Sequence, residues 1–163
     1  MPKVLVRRAN FEDLHHLTDI AEHSPFQPTD DTGLVSLETH VREGRVLLAH
    51  SGGEVAGDLL FRPHLWDEME PYVEHVDVLP GFKGRGIGRT LMAGLERIAI
   101  QNGHAVIYSS TGEDNAASQA FHKALGFGVD CAYPLRSQPS RELMLSKLVI
   151  PPITVPQDSE FLL

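Results

Sequence analysis

The feature that most constrains this chain is a glycine-rich segment between a predicted strand and a predicted helix. Lys83–Gly88 reads Lys-Gly-Arg-Gly-Ile-Gly and follows the strand-like stretch Tyr72–Val78. Alternate glycines remove the Cβ atoms that would keep a ligand from the backbone, and a helix that begins here presents free N–H groups to an anion. Lys83, Arg85 and Arg89 add local positive charge. The segment therefore predicts a phosphate-binding loop.

The spacing of these glycines excludes two common phosphate-binding loops. A Walker A loop requires a lysine directly after its last glycine, and Gly88 is followed by Arg89 and Thr90. A dinucleotide-binding loop has the pattern GxGxxG after the first strand of a βαβ unit, whereas Gly84–Gly88 is GxGxG and comes late in the chain. A different phosphate-containing ligand is indicated.

Length and composition predict one cytoplasmic domain. The 163 residues are 42% hydrophobic, which suits a single core, and we expect one domain over 1–150 with a C-terminal extension over 151–163 that is poorly ordered or lies at a subunit interface. The sequence shows no membrane-length apolar run and no secretory signal at its start, and Cys131 is the only cysteine. These features predict a cytoplasmic protein that does not bind a membrane.

The charge of the chain argues against a nucleic-acid partner. Acidic residues outnumber basic ones by 22 to 14, which gives a formal net charge of −8. Nucleic-acid binding depends on clustered Lys and Arg, so a small cationic partner is favoured. Nine histidines are present, but none has the HxH or HxxxH spacing of metal ligands, and we predict no metal site.

The order of predicted elements indicates a mixed α/β fold of the α+β type. The first half contains a strand, a helix capped by Asn10, a short helix and a β-hairpin around Gly52 and Gly53. The second half alternates strand and helix, and Asn115 begins a helix that Gly126 ends. The economical arrangement is a mixed, mostly antiparallel central sheet flanked by helices.

Two segments in this order resemble the GNAT superfamily of acetyl-CoA-dependent N-acetyltransferases. Val78–Met92 is similar to the family's strand, pyrophosphate loop and helix, and Asn115–Phe127 is similar to its later helix with the ending Leu-Gly-Phe. The resemblance implies a sheet that splays at the cofactor site, between the strand at Tyr72–Val78 and the strand at Ala105–Ser110. It implies a coenzyme A thioester, acetyl-CoA, as donor and an amine as acceptor. The cofactor-binding residues it implies are Val76, Val78, Lys83, Gly84, Arg85, Gly86, Ile87, Gly88, Arg89, Asn115 and Phe121.

Two residues are the candidates for catalysis by direct transfer. Strict alternation places Glu74 on the same strand face as Val76 and Val78, where burial would raise its pKa and make it a base for the acceptor; His75 and Asp77 are the alternatives. His122 stands where the family often has the tyrosine that protonates the departing thiolate, and an imidazole can serve there.

The sequence leaves several questions about function open. A catalytically silent acetyl-CoA-binding or sensing domain is the alternative to an enzyme, because His122 replaces the usual tyrosine. The acceptor is a small amine or a peptide, and a homodimer is an open expectation. No motif is readable in the loops that would build the acceptor pocket.

Overall fold

The computed structural model describes residues 2–24, 32–63, 70–134, 139–149 and 159–163, and the backbone alone for 32–36. The strands are β1 (Val4–Arg8), β2 (Val46–Ser51), β3 (Glu54–Pro63), β4 (Pro71–Val78), β5 (Val106–Gly112), β6 (Gly128–Pro134), β7 (Arg141–Leu148) and β8 (Ser159–Leu162). The α-helices are α1 (Leu14–Glu22), α2 (Thr32–Arg42), α3 (Ile87–Gln101) and α4 (Ala116–Ala124). The loop between α1 and α2, in which the sequence suggests a substrate lid, lies mostly outside the described residues.

The eight strands form one sheet with the order β6-β7-β5-β4-β3-β2-β1-β8. Neighbouring strands are antiparallel except for the pairs β4–β5 and β1–β8. Both parallel neighbours join distant segments of the chain, as parallel pairing requires. The predicted fold class, a mixed and mostly antiparallel sheet flanked by helices, is confirmed.

The helices cover the two faces of this sheet with separate apolar clusters. Leu91, Leu95 and other buried residues of α3 pack on one face, together with Val6, Leu59 and Ile107 from the strands. The second cluster joins α1 and α2 to the other face. We call these two sides of the sheet the α3 face and the α1/α2 face. A buried strand residue is assigned to one of them by the cluster to which it belongs.

Local sequence explains where the first helical segment begins. The side chain of Asn10 accepts a hydrogen bond from the N–H of Glu12, while the carboxylate of Asp13 accepts one from the N–H of Asn10. This reciprocal cap begins a short 3₁₀ turn that leads directly into α1. The predicted cap is confirmed.

The expected side-chain alternation along β4 is wrong at Glu74. The register between β3 and β4 shifts there: Leu60 is opposite His75 and Phe61 is opposite Val73, so Glu74 is an extra residue. Val73 and Val76 both belong to the α3 face as a result. A β-bulge therefore separates Glu74 from the face that it was predicted to share with Val76.

The C-terminal extension differs in part from the prediction. Ser159–Leu162 does not hang free but forms β8, which pairs in parallel with β1. Phe161 packs against the α3 face, and the guanidinium of Arg97 lies 4.6 Å from the centre of its ring. Alternating burial along this strand explains why four residues at the end of the chain add to the sheet.

Within the described residues, no helix combines the length and the apolar character needed to cross a membrane.

Candidate active site

The glycine-rich segment is a loop that ends in the first turn of α3. Gly84 and Gly86 have φ angles of +75° and +78°, a left-handed conformation that side chains with a Cβ adopt at a cost. Gly86 is the N-cap of α3 and carries no side chain that could occupy the free N–H groups of the first turn. The carbonyl of Gly86 accepts bonds from both the N–H and the hydroxyl of Thr90. The loop thus presents backbone donors to an anion, as predicted.

The residues of this loop divide into two groups by exposure. Lys83, Gly84, Arg85, Gly86 and Arg89 are exposed, so their charges and amides are available to a ligand. Ile87 is 1% exposed and its side chain lies in the core. Only the backbone of Ile87 can therefore serve the predicted cofactor-binding role.

A cavity of about 300 Å³ lies beside the loop, and its walls include Val78, Phe82, Gly86 and Phe121. Gly88 allows α4 to approach this closely, because a Cβ at Gly88 would lie 3.2 Å from Cε2 of Phe121. The cavity combines an apolar wall with the basic residues of the loop. Such a site suits a ligand with a phosphate end and an apolar arm.

The sheet opens next to this cavity, between β4 and β5. The two strands pair only at Tyr72 and Tyr108, and they diverge beyond that point. A cleft of about 290 Å³ occupies the opening, bordered by Val76, Asn115 and Phe121 among others. The splay that the family resemblance implies is therefore present.

A third cavity, of about 410 Å³, shares wall residues with these two and reaches α1. Its walls include Ile20 and His23 of α1, Val76 and Asp77 of β4, and Phe121 of α4. Phe121 borders all three cavities, and Asp77 borders both this one and the cleft. Among the predicted cofactor residues, all but Arg85 thus border at least one of these three adjoining cavities.

The start of α4 places Asn115 at the cleft. Its side chain accepts a hydrogen bond from the N–H of Ser118, which confirms the predicted helix cap. Its second predicted role, contact with the pantetheine arm, stays a prediction. Because the carbonyl oxygen already holds the cap, the amide nitrogen is the group left to donate to a ligand.

His122 lies in the wall of the cleft but is buried. Its Nε2 is 2.8 Å from the hydroxyl oxygen of Ser109, and its Nδ1 is 2.8 Å from the carbonyl oxygen of Ser118. Burial lowers the pKa of His122, against the opposing effect of the Ser118 carbonyl. The ring is therefore held neutral, with both nitrogens engaged.

The environment of Glu74 differs from the prediction. The residue is exposed, and its carboxylate pairs with Nε of Arg62 at 2.9 Å and with Nε2 of His40 at 2.5 Å. Burial acts to raise its pKa, but the bonds and charges of His40 and Arg62 outweigh burial, and the pKa of Glu74 is lowered. The expectation of a raised pKa at Glu74 is wrong, because the side chain at the bulge lies beside Arg62 and His40.

The α1/α2 face carries a cluster of titratable side chains that the sequence did not identify as a unit. Ligand-type atoms of Asp58, His75 and Asp77 all lie within 4.8 Å of one another. Asp58 is 1% exposed, and burial together with the nearby Asp77 raises its pKa far above the usual value. The signal was a single charged residue inside the apolar strand Val55–Phe61.

A second group of polar residues lines the cleft and was also missed. The hydroxyls of Tyr72 and Ser110 lie 2.8 Å apart, and Ser110 donates to the carboxylate of Glu142 at 2.7 Å. These residues come from three strands that are distant in sequence. Sequence spacing carries no signal for such a group, because only the sheet order brings it together.

Comparison with known proteins agrees with this arrangement. A sequence model of the Acetyltransferase (GNAT) family matches residues 11–127. The chain is similar to the acetyltransferase yncA of Salmonella typhimurium, whose structure contains its cofactor acetyl-CoA; the TM-score is 0.72, the identity 24%, and the alignment covers 95% of this chain and 99% of that one. At this identity the likeness shows the fold alone.

Two curated relatives match over shorter stretches. Aminoglycoside N(6')-acetyltransferase type 1 of Salmonella typhimurium is 38% identical over 56 residues, which are 34% of this chain and 39% of the relative. L-methionine sulfoximine/L-methionine sulfone acetyltransferase of the same organism is 35% identical over 91 residues, 55% of this chain and 53% of the relative. The chain thus spans about two fifths and about half of these relatives. The family match over most of the chain shows that the chain belongs to the Acetyltransferase (GNAT) family.

Proposed function

We propose that this enzyme transfers the acetyl group of acetyl-CoA directly to a primary amine while both substrates are bound. The observation that carries the proposal is a shared wall: Phe121 borders the loop cavity, the cleft between β4 and β5, and the cavity beside α1. A donor held along the loop cavity and into the cleft leaves the rest of the cleft and the third cavity for an acceptor. Direct transfer needs this kind of shared opening.

The loop supports acetyl-CoA as the donor. Backbone amides from Lys83 to Arg89 would bind the pyrophosphate at the start of α3, where the helix dipole favours negative charge. Lys83, Arg85 and Arg89 are exposed and supply counter-charge. The apolar wall formed by Val76, Val78 and Phe121 suits the pantetheine arm.

The acceptor must lose a proton before its nitrogen can attack the thioester carbonyl. β4 supplies the candidates: Glu74, as the sequence predicted, and the alternatives His75 and Asp77. The lowered pKa of Glu74 and its two cationic partners make it a weak base. The role of His122 as the acid for the leaving thiolate also stays a prediction. Its ring is neutral and both of its nitrogens are hydrogen-bonded within the protein, which favours a structural role.

A small amine is the acceptor class that the observations favour. Both curated relatives are named for small amine-containing compounds, an aminoglycoside and methionine derivatives. The formal net charge of −8 attracts a cationic acceptor over a distance. The loops expected to build the acceptor pocket lie largely outside the described residues, so the individual compound is a matter for a screen.

Calorimetric titration with acetyl-CoA tests the donor half of the proposal. Gly86→Glu places a carboxylate in the pyrophosphate loop, and we expect it to abolish binding that the unaltered chain shows. Gly103→Glu is the matched control, because Gly103 also has a positive φ, +77°, with nothing within 4 Å of a Cβ, but follows the far end of α3. Equal binding by both variants, or no binding by the unaltered folded chain, would overturn the assignment of the loop.

Release of free thiol from acetyl-CoA tests the transfer half. The screen includes an aminoglycoside, L-methionine sulfone and a peptide with a free N-terminus. We expect thiol release well above the uncatalysed rate with a small amine, and intersecting initial-rate patterns when both substrates are varied. A catalytically silent domain, suggested by His122 in place of tyrosine, would bind acetyl-CoA and release no thiol with any amine.

A further inference from the structure

Three titratable side chains lie together on the α1/α2 face of the sheet, next to the opening between β4 and β5. In the β3–β4 register Asp58 is opposite Asp77 and Leu60 is opposite His75. Leu60 belongs to the apolar cluster beneath α1 and α2, and the residues that pair with it and with Asp58 share that face. His75 and Asp77 therefore share the face of Asp58, and the bulge sets Glu74 out of this pairing.

The three side chains form a graded series from the interior to the cavities. Asp58 is 1% exposed. The side chain of Asp77 is 17% exposed and borders both the cleft and the cavity beside α1, and that of His75 is 27% exposed and borders the cleft. A proton taken up at the cavity side thus meets His75 or Asp77 first, with Asp58 behind them.

Two oxygen atoms in the cluster lack a partner. Among the described residues, Oδ1 of Asp58 and Oδ2 of Asp77 are buried and accept or donate no hydrogen bond. Unpaired buried carboxyl oxygens cost free energy unless a charge or a proton satisfies them. These two oxygens are therefore available to bind a proton or a cation.

We propose that His75 accepts the proton of the acceptor's ammonium group, that Asp77 stabilises the imidazolium so formed, and that Asp58 positions Asp77. This inference rests on the function proposed above and assigns its proton acceptor. His75 is the catalytic residue in this scheme, and Asp77 and Asp58 are positioning residues.

The distance between the ring and the carboxylate suits this role. Nε2 of His75 lies 3.8 Å from Oδ2 of Asp77, and His75 borders the cleft. Burial lowers the pKa of His75, while the carboxylates of Asp77 and Glu74 act to raise it and His40 acts to lower it. The ring is consequently neutral near pH 7 with a lone pair available, and a carboxylate is at hand for the charge that forms.

Asp58 lies on the interior side of Asp77 and is the most buried of the three side chains. Burial, together with the nearby Asp77, raises the pKa of Asp58 well above the usual carboxyl value, which favours the protonated form. A protonated carboxyl is a hydrogen-bond donor, and Oδ2 of Asp77 is an acceptor without a partner among the described residues. Asp58 can thus hold Asp77 without adding a second negative charge.

The proton balance of the scheme is complete. An N–H bond of the acceptor's ammonium group breaks, and the proton passes to Nδ1 of His75. The free amine forms the C–N bond to the acetyl carbon, and the C–S bond then breaks with its electron pair on sulfur. The nitrogen loses its second proton to the leaving thiolate by way of solvent, which gives the free thiol, and His75 returns its own proton to solvent.

Kinetics as a function of pH test the assignment, with the amine that gives the highest rate in the screen above. For His75→Gln we expect kcat to fall about 10²- to 10⁴-fold, the usual contribution of a general base. In the unaltered enzyme kcat/KM should fall at acidic pH as His75 is protonated, and we expect this acidic limb of the pH profile to be absent from the variant. His104→Gln is the matched control, because His104 lies 3.6 Å from the carboxylate of Glu70 with a similarly exposed side chain, 25%, and borders none of the three cavities. Added imidazole should partly restore the rate of His75→Ala.

The variants of the two aspartates test the positioning roles. Asp77→Asn should lower kcat at least tenfold and move the acidic limb to lower pH, because the imidazolium loses its counter-charge. Asp58→Asn keeps a donor for Asp77 and should retain kcat within about threefold, whereas Asp58→Ala should not. A merely structural role would leave the position of the limb unchanged.

Each outcome decides between the proposals. Turnover by the unaltered enzyme together with an unchanged limb in His75→Gln overturns this inference and leaves the proposed function intact. Absence of turnover with every amine overturns both. Loss of activity on treatment with EDTA would show that a divalent cation, rather than a proton, occupies the three side chains, and would also overturn the scheme.

Discussion

Nε2 of His122, on α4, lies 2.8 Å from the hydroxyl oxygen of Ser109, on β5. Because Nδ1 lies 2.8 Å from the carbonyl of Ser118, Nδ1 carries the proton and Nε2 accepts a hydrogen bond from Ser109. The imidazole therefore ties α4 to the strand that forms one wall of the cleft. A tyrosine at this position would present its hydroxyl farther from the helix, so it would not make the same pair of hydrogen bonds.

His122→Phe should reduce stability more than catalysis. The variant leaves the buried Ser109 hydroxyl unpaired, and we expect the free energy of unfolding to fall by about 1–3 kcal/mol. We expect kcat to fall less than tenfold, because a thiolate with a pKa near 8.5 leaves without a dedicated acid. Urea denaturation and steady-state kinetics measure the two effects, with the exposed His15→Phe as control. A 100-fold loss of kcat at unchanged stability would instead assign the acid role to His122.

The phosphate loop and the later helix were predictable because their signals are local. Glycines at alternate positions, basic neighbours and a helix start are all read within one short segment, Lys83–Arg89. Asn115 as a helix cap is equally local, and the structure confirms it. The mixed sheet followed from the order of elements.

The surroundings of the candidate bases were not predictable, because they depend on pairing between strands. Simple alternation assigns Glu74 to the face of Val76, and only the register with β3 reveals the extra residue. Asp58 is 19 residues from Asp77 in the chain, and the two meet only across the β3–β4 pair. The partners of Glu74, His40 and Arg62, come from a helix and a strand that the sequence does not place beside it.

Gly57→Ala should disrupt the pairing of β3 with β4. A Cβ at Gly57 would lie 2.3 Å from the carbonyl oxygen of Asp77, a contact that neither backbone can avoid without moving. We expect the free energy of unfolding to fall by about 1–3 kcal/mol or more. Gly128→Ala is the control, since a Cβ there meets nothing within 4 Å. Similar urea midpoints for the two variants would contradict the close approach.

Asp58→Asn should change how stability depends on pH. The pKa of Asp58 is raised in the folded state, so its contribution to stability is fully present below the unfolded pKa near 3.9 and is lost as pH rises toward the folded pKa. The unaltered chain should lose stability relative to Asp58→Asn by up to about 1.4 kcal/mol per pH unit across that window. Unfolding free energies at several pH values from 4 to 8 measure the slope, and Asp19→Asn, on the exposed side of α1, serves as control. Parallel curves would show that Asp58 is ionised in the folded protein.

Asp13→Asn should have the opposite dependence. Asp13 accepts hydrogen bonds from both terminal nitrogens of Arg7 at 2.7 Å and from the N–H of Asn10 at 2.8 Å. The Arg7 bonds are the largest cause of a pKa lowered to about 2, and burial opposes them. A lowered carboxylate pKa stabilises the fold above the unfolded value near 3.8, and this stabilisation is lost as pH falls toward 2.

We therefore expect the unaltered chain to be more stable than Asp13→Asn at pH 7, by on the order of 1–2 kcal/mol, with the difference shrinking between pH 4 and pH 2. Denaturant unfolding of both proteins at matched pH measures the difference. Glu12→Gln, at an exposed position in the same turn, should show no such change. A difference that stays constant down to pH 2 would contradict the prediction, because a stabilisation that comes from the charge of Asp13 must disappear as its carboxylate is protonated.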